Sequence, residues 1–387
     1  MLEGVNVALG VSGSIAAVKT VELAHELRRE GASVRAVLSE AATGIVHPWA
    51  AGFATGNDVV TELTGRVEHV ELCGREGWAD VLLVAPATAN TVGKMAAAID
   101  DTPVTTTATT ALGADVPVVV APAMHEPMYD HPGVLASIER LEEWDVTFVD
   151  PRIEEGKAKI AAETDVVTET ARRATPNPLQ GRTVVVTSGA TSERIDPIRV
   201  LTNRASGRTG RAVARACHVS GAEVVLVHDG PEVRYADVRQ VETAAEMLDA
   251  VSATIEDRGG DVLVSAAAIS DFTVEASGEK IKSGAARTLE LTPTPKLIDT
   301  VREAHPDLAI VGFKAETEGG ESALVERARE TLERAGLAFV VGNHADVMGG
   351  EETRAVLVRA DSTREFEGPK PDLGGVVAEE LAVELTE

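Results

Sequence analysis

The sequence predicts an α/β fold of two three-layer domains, each on a mainly parallel sheet, and three observations carry that expectation. At 387 residues the chain exceeds one ordinary hydrophobic core. Short apolar runs alternate with stretches of helical period along almost its whole length. The alternation breaks once, at ATPNPLQG (174–181), where two prolines and a glycine interrupt both periods. Strands apolar on both faces and separated by helices form parallel sheets covered on each side, a Rossmann-like arrangement. Domains are therefore expected at 1–175 and 176–387.

VNVALGV (5–11) reads as the first buried strand, and Ile15 to Arg29 as one amphipathic helix stopped by Gly31. SVRAVLS (33–39), ADVLLVAPA (79–87), VPVVVAPA (116–123) and VTFVD (146–150) continue the first sheet. After the linker, RTVVVTSGAT (182–191) is a strand entering a Ser/Gly loop, and a helix through Ala212–Ser220 ends at Gly221. AEVVLVH (222–228), DVLVSAAA (261–268), LAIVGF (308–313) and LAFVVGN (337–343) read as further strands. RAVLVR and REFEG suggest a hairpin, followed by a closing helix from Val376.

Composition removes several function classes. The 62 acidic against 36 basic residues give a formal charge of −26, the wrong sign for a nucleic-acid binder, and no basic run compensates. Acids scattered along helical stretches, with lysine scarce, suggest the solvated surface of a halophile's protein. Cys73 and Cys217 form neither a disulfide framework nor a cysteine zinc site. No apolar run reaches the length of a membrane span and the N-terminus opens on a strand, so a cytoplasmic protein is expected.

Both halves begin strand, Ser/Gly loop, helix. GVSGSIAAVK (10–19) places small residues where a strand feeds a helix N-terminus, a position that favours an anion. Alone, that loop fits a tight βα turn equally well. It is followed by His69 in RVEHVEL, by APATANTVGKMAAAIDD (85–101) and by APAMHEPMY (121–129), and this ordered set resembles the flavin-containing cysteine decarboxylases. The second half carries TSGATSERIDPIRVLTNRASGRTG (187–210), SAAAISDF (265–272), EKIKSG (279–284), TPKLI (294–298) and GFKAET (312–317), which resemble phosphopantothenate–cysteine ligase. Together the motifs resemble the fused bifunctional family, phosphopantothenoylcysteine decarboxylase/phosphopantothenate–cysteine ligase, in its archaeal form.

The resemblance implies two consecutive steps of coenzyme A synthesis. Cysteine would be ligated to 4′-phosphopantothenate with CTP, through an acyl-cytidylate, and the product decarboxylated to 4′-phosphopantetheine with FMN. It assigns catalytic roles to His69, Asn203 and Lys280, and flavin contacts to Gly13, Ser14, Ile15, Ser39, Thr88 and Ala89. Asn90, Met124 and His125 would hold the decarboxylase substrate. Ser265, Ala266, Ala267, Asp271, Lys280, Pro295, Lys296, Leu297, Ile298 and Phe313 would hold CTP. Mg²⁺ would enter as the counter-ion of the triphosphate, without a protein cage. Trimers of the flavin domain, with sites shared between neighbours, and dimers of the ligase domain would together make a dodecamer.

The sequence departs from the family pattern in three places. His125 stands where many relatives have asparagine, and can donate the same hydrogen bond. The flap segment PRIEEGKAKIA (151–161) lacks the usual cysteine, leaving Glu155 and Lys157 as candidate acids. Lysines expected near the helix before LAFVVGN appear as Thr331 and Ala335, with Arg329 and Arg334 adjacent. Two other classes compete: an NAD(P)-linked oxidoreductase, which leaves PAMH, TNRASG and KIK unexplained, and a non-catalytic flavin-binding regulatory protein, which needs no intact ligase half.

Overall fold

The computed structural model describes residues 1–284, 286–316, 320–344 and 352–386; Thr317, the last residue of the GFKAET motif, lies outside them. The chain divides into two compact units, Met1–Pro176 and Asn177–Glu387.

The first unit is built on a five-stranded sheet of β1 (Asn6–Val11), β2 (Ser33–Leu38), β3 (Val81–Ala87), β4 (Val118–Pro122) and β6 (Thr147–Phe148). Its order is β2-β1-β3-β4-β6 and every pairing is parallel. Ala8, Leu82, Val84, Val118 and Val120 meet the helices Ala89–Ala96 and Pro103–Gly113 in one buried layer. A separate three-stranded antiparallel sheet joins β5 (Met124–His125) to the hairpin of β7 (Arg152–Glu154) and β8 (Lys157–Lys159), in the order β5-β8-β7. The hairpin turns through Glu155 and Gly156, both at positive φ.

The second unit carries an eight-stranded sheet in the order β13-β12-β9-β14-β17-β18-β19-β20. These are β9 (Thr183–Thr187), β12 (Glu223–His228), β13 (Asp237–Gln240), β14 (Val262–Ser265), β17 (Ala309–Glu316), β18 (Phe339–His344), β19 (Glu352–Val358) and β20 (Thr363–Pro369). The first six are parallel and the last two form an antiparallel hairpin at one edge. Successive residues of β9 serve opposite faces: Val184 and Val186 join one buried layer, Val185 the other. That alternation is what a strand covered by helices on both sides requires. Two short antiparallel pairs, β10 (Ser192–Arg194) with β11 (Val200–Thr202) and β15 (Phe272–Val274) with β16 (Leu291–Pro293), carry the loops above the sheet.

Several boundaries differ from those the sequence suggests. Ile15–Arg29 is a 3-10 turn (Ile15–Lys19) followed by an α-helix (Thr20–Arg29), because Ser14 caps the turn by accepting from the Ala16 N–H. The strand expected at 261–268 ends at Ser265, and Ala266–Ala268 form a loop. The helix expected from Ala212 starts at Arg208. The closing helix starts at Lys370, not Val376. Within that helix a Cβ on Gly374 would lie 2.5 Å from the Ala212 carbonyl oxygen, so this glycine serves close packing of two helices. Among the described residues no helix is long and apolar enough to cross a membrane.

Candidate active sites

In the first unit, the loop after β1 is fixed from two sides. The Ser12 hydroxyl donates to the Pro86 carbonyl at 2.7 Å and accepts from the Thr88 N–H at 3.0 Å. The Ser14 hydroxyl donates to the Ala123 carbonyl at 3.2 Å. A Cβ on Gly13 would fall 2.4 Å from the Ala41 Cβ, so only glycine lets the loop press on the turn that Ser39 caps. Thr88 caps the helix Ala89–Ala96 by accepting from the Thr91 N–H.

These loops and the hairpin surround a cavity of about 610 Å³. Of the residues the sequence singles out, Gly13, Ser14, Ile15, Thr88, Met124, His125 and Lys157 line it. Ser39, His69, Ala89, Asn90 and Glu155 are not in its lining. The walls combine an apolar part, including Ile15 at 79% exposure, Val18 and Met128, with the cations Lys19, Arg152, Lys157 and Lys159. A large planar ligand with an anionic end fits such a lining: exposed apolar side chains need a cover, and the glycine loop and two helix caps offer N–H groups.

His69 sits in the helix Glu68–Cys73, which is entered through Val67 at φ 51°. Such a conformation is strained for a β-branched residue. The His69 Nδ1 is buried and finds no hydrogen-bond partner among the described residues. Neither thiol is available for acid chemistry: Cys73 and Cys217 are buried, and burial pushes both up to about 12.

Glu155, one of the two flap candidates, sits exposed at the turn of the hairpin and outside the cavity lining. Its carboxylate accepts from the Lys159 ammonium at 2.9 Å, and this hydrogen bond with the charges of Lys159 and Lys157 holds it below the ordinary carboxylate range. Lys157, by contrast, lines the cavity and pairs in register with His125 across β5 and β8, which puts both side chains on one face of the small sheet.

In the second unit, most of the residues expected around CTP gather at the C-terminal ends of the parallel strands. A cavity of about 480 Å³ is lined by Asn203, Ser265, Ala267, Asp271, Pro295–Ile298 and Phe313. Ala266 lines a smaller neighbouring cavity instead. The loop after β14 is locked to the loop after β9: Ala268 N–H donates to the Gly189 carbonyl at 2.8 Å and Ser270 N–H to the Thr191 hydroxyl at 2.9 Å. The Asn203 amide donates to the Ala268 carbonyl at 3.0 Å, and Lys296 pairs with Asp271 at 2.5 Å. Arg334 lines the cavity while paired with Asp299 at 2.7 Å. Arg329 is exposed outside the lining, and Ala335, aligned with an expected lysine, is core.

Lys280 is exposed and lies outside the lining of both cavities. Its loop is nevertheless tethered, since Asp196 accepts from the Ile281 N–H at 3.1 Å and Arg199 donates to the Ile281 carbonyl at 3.1 Å. Burial alone would raise the Asp196 carboxyl, but the N–H groups of Ile198, Ile281 and Arg199 and the Arg199 charge hold it below its usual value. Among the described residues no three His, Cys, Asp or Glu side chains converge to hold a metal ion.

Sequence reasoning left out the cavity cations Lys19, Arg152 and Lys159. The hairpin pattern EEGKAK was the available signal, because alternation places Lys157 and Lys159 on a common face.

Residues 1–175 match the family model described as Flavoprotein, and residues 179–384 that of the DNA/pantothenate metabolism flavoprotein C-terminal domain. The coenzyme A biosynthesis bifunctional protein CoaBC of Thermococcus kodakarensis is 50% identical over 369 residues, covering 94% of this chain and 91% of that protein. Its counterpart in Methanocaldococcus jannaschii is 34% identical over 387 residues, covering 98% and 94%. The crystal structure of the C-terminal domain of a CoaBC protein matches with a TM-score of 0.45 at 28% identity, over 54% of this chain and 98% of that one. By the relatives that match it from end to end, the chain belongs to the family of coenzyme A biosynthesis bifunctional proteins.

Proposed function

We propose that this chain ligates cysteine to 4′-phosphopantothenate with CTP in its second unit, and decarboxylates the resulting 4′-phosphopantothenoylcysteine in its first with FMN. The observation that carries the reading is that family membership spans both units, while each unit has its own cavity lined by motif residues. A non-catalytic flavin-binding protein would need only the first.

In the ligase step the substrate carboxylate attacks the α-phosphorus of CTP and pyrophosphate leaves. The cysteine amine then attacks the acyl carbon and CMP leaves. Negative charge moves across phosphoryl and carbonyl oxygens, so fixed cations and amide dipoles supply the stabilisation. Lys296 and Arg334 are cations at the cavity, and Asn203 is held beside the Ala266–Ala268 loop by its bond to Ala268. Lys280 is assigned to the phosphates, delivered by movement of its tethered loop or from a neighbouring chain. Mg²⁺ enters with the triphosphate.

In the decarboxylase step Gly13, Ser14 and Thr88 would hold FMN, which would supply reversible two-electron oxidation of the substrate's thiol side and so an electron sink for the loss of CO₂. The chain's own contribution is placement. Gly13, Ser14 and Thr88 bound the flavin end of the cavity, and Met124, His125 and Lys157 the substrate end. Lys157 is the proton donor that the geometry favours in place of a flap thiol. His69 completes the site from a neighbouring subunit of a trimer. Its unpartnered Nδ1 supports this, as does the exposed stacked pair of Trp49 (77%) and Phe53 (71%). Ligase dimers would extend the assembly to a dodecamer.

The test is purification of the full chain and assay with each substrate withheld in turn. The expected protein is yellow, and it consumes CTP only when 4′-phosphopantothenate and cysteine are both present. Colourless protein that cannot be loaded with FMN, or CTP turnover without cysteine-containing product, contradicts the reading.

A further inference from the structure

We infer that Lys19 and Glu163 anchor the base of the β7–β8 hairpin to the loop after β1, and that Glu163 is thereby a positioning residue for the reaction of the first unit. The inference rests on the decarboxylase reading for its effect on catalysis, and on the geometry of the unit for the anchor itself.

The hairpin is a weak element on its own. β7 and β8 are three residues each, and β8 pairs outward with the two residues of β5. A two-stranded ribbon of that length is marginal in water. Its neck is closed by Arg152, whose Nε donates to the Ile160 carbonyl at 3.3 Å. The ion pairs of Arg152 and Lys159 stay inside the hairpin, on Glu154 and Glu155. Such pairs shape the ribbon and leave its placement to other contacts.

Lys19 makes a connection of a different kind. It is the last residue of the 3-10 turn after the glycine loop, and its ammonium donates to the Glu163 carboxylate at 2.5 Å, across 144 positions of sequence. Glu163 opens the helix Glu163–Ala174, just beyond the neck at Ile160. An acid in a first helical turn is favourable without any partner. This one is nevertheless drawn into a pair whose side chains retain 39% and 29% of their exposure. A void of about 10 Å³ lies beside it, lined by Lys19, Thr20, Ile160, Ala161 and Glu163, so on that side little water screens the charges. Burial alone would raise the Glu163 carboxyl, but the Lys19 hydrogen bond, the Glu163 main chain and the charges of Lys19 and Arg152 hold it below its usual value. Through Arg152 the neck of the hairpin feels the same carboxylate.

Lys19 also lines the cavity of about 610 Å³, so a bound anion is its alternative partner. The two roles predict opposite signs. If Lys19 served the anion, removal of Glu163 would free the ammonium and tighten flavin binding. As an anchor, loss of either partner loosens the flap, and the substrate must supply the free energy that closes it. That cost falls on KM and spares kcat, because the bound complex is the closed one.

The test compares the full chain, with FMN added, against Glu163→Gln, Lys19→Met and the double variant, by hydrogen exchange at residues 152–160 and by decarboxylation kinetics. Each single change is expected to speed exchange in that segment and to raise the KM for 4′-phosphopantothenoylcysteine about fivefold with kcat held, and the double variant to match the singles. Lys19→Arg keeps the charge and should stay within about twofold of wild type. Ligation should be unchanged throughout. Should Lys19→Met fail to take up flavin, Glu163→Gln, whose side chain is outside the cavity lining, carries the test. Tighter flavin binding by Glu163→Gln, exchange at 152–160 at the wild-type rate, or additive effects in the double variant overturns the inference. Exchange that quickens only at 152–160, in a protein whose wild type releases no CO₂, leaves the anchor standing and removes the decarboxylase reading.

Discussion

The cavity of the first unit and the larger cavity of the second distribute their predicted residues in different ways. In the second unit, nearly all the expected CTP positions meet on loops at the ends of adjacent parallel strands, and Lys280 stands apart on its own tethered loop. In the first, the set is split more evenly: the glycine loop, Thr88 and β5 line the cavity, whereas Ser39, His69, Ala89 and Asn90 do not. The difference teaches that binding groups come from the sheet, where topology brings loops together. Of the groups expected to act on the reacting atoms, Asn203 lines its cavity, whereas His69 and Lys280 are carried on segments outside the linings.

The largest effect that would sharpen this contrast is on Lys280. Lys280→Gln should lower ligation by about 10²-fold, as removal of one stabilising contact to a reacting oxygen does. Decarboxylation of supplied 4′-phosphopantothenoylcysteine should be unchanged. Assay of pyrophosphate and CO₂ release checks both, and equal loss of the two would break the separation of the units. In the other direction, Gly13→Val pushes a side chain into Ala41 and should displace the loop. The purified variant should lack flavin absorbance and lose at least about tenfold in decarboxylation, with ligation intact.

A smaller effect concerns the tether. The Asp196 carboxyl is depressed in the folded state, so its contribution is complete above the unfolded value of about 3.9 and lost as pH falls through the folded one. Asp196→Asn should raise the KM of ligation severalfold at neutral pH, and the wild-type Lys280 loop should gain susceptibility to proteolysis only below about pH 4. Loosening near pH 6 would locate the tether elsewhere. Smallest is the salt response: with a charge of −26, self-repulsion should fall as the screening length shortens to about 3 Å at 1 M KCl. Stabilisation of about 1 kcal/mol would raise each unit's melting temperature by about 2–4 °C. A melting temperature independent of KCl would contradict the halophilic reading.

The sequence showed its parallel sheets clearly because buried strands such as VVV at 184–186 have no polar face to disguise them. It concealed whatever depended on distant contacts. The start of the closing helix at Lys370 was not legible, since the Gly374 inside it is explained only by the Ala212 main chain, far away in sequence. The three-stranded sheet of β5, β7 and β8 was missed because its strands are two or three residues long. In the sites, motifs gave the glycine and serine loops, whose spacing is local. Arg152 and Lys159 went unread since charges on a hairpin look like a solvated surface.

The account's central claim, two reactions on two separate units of one chain, is tested most directly by the product of His69→Asn. Supplied with CTP, cysteine and 4′-phosphopantothenate, this variant should accumulate 4′-phosphopantothenoylcysteine in step with pyrophosphate, seen by mass spectrometry, with CO₂ release down by at least about 10²-fold. Formation of 4′-phosphopantetheine at the wild-type rate, or loss of ligation together with decarboxylation in a folded, flavin-loaded variant, would contradict it.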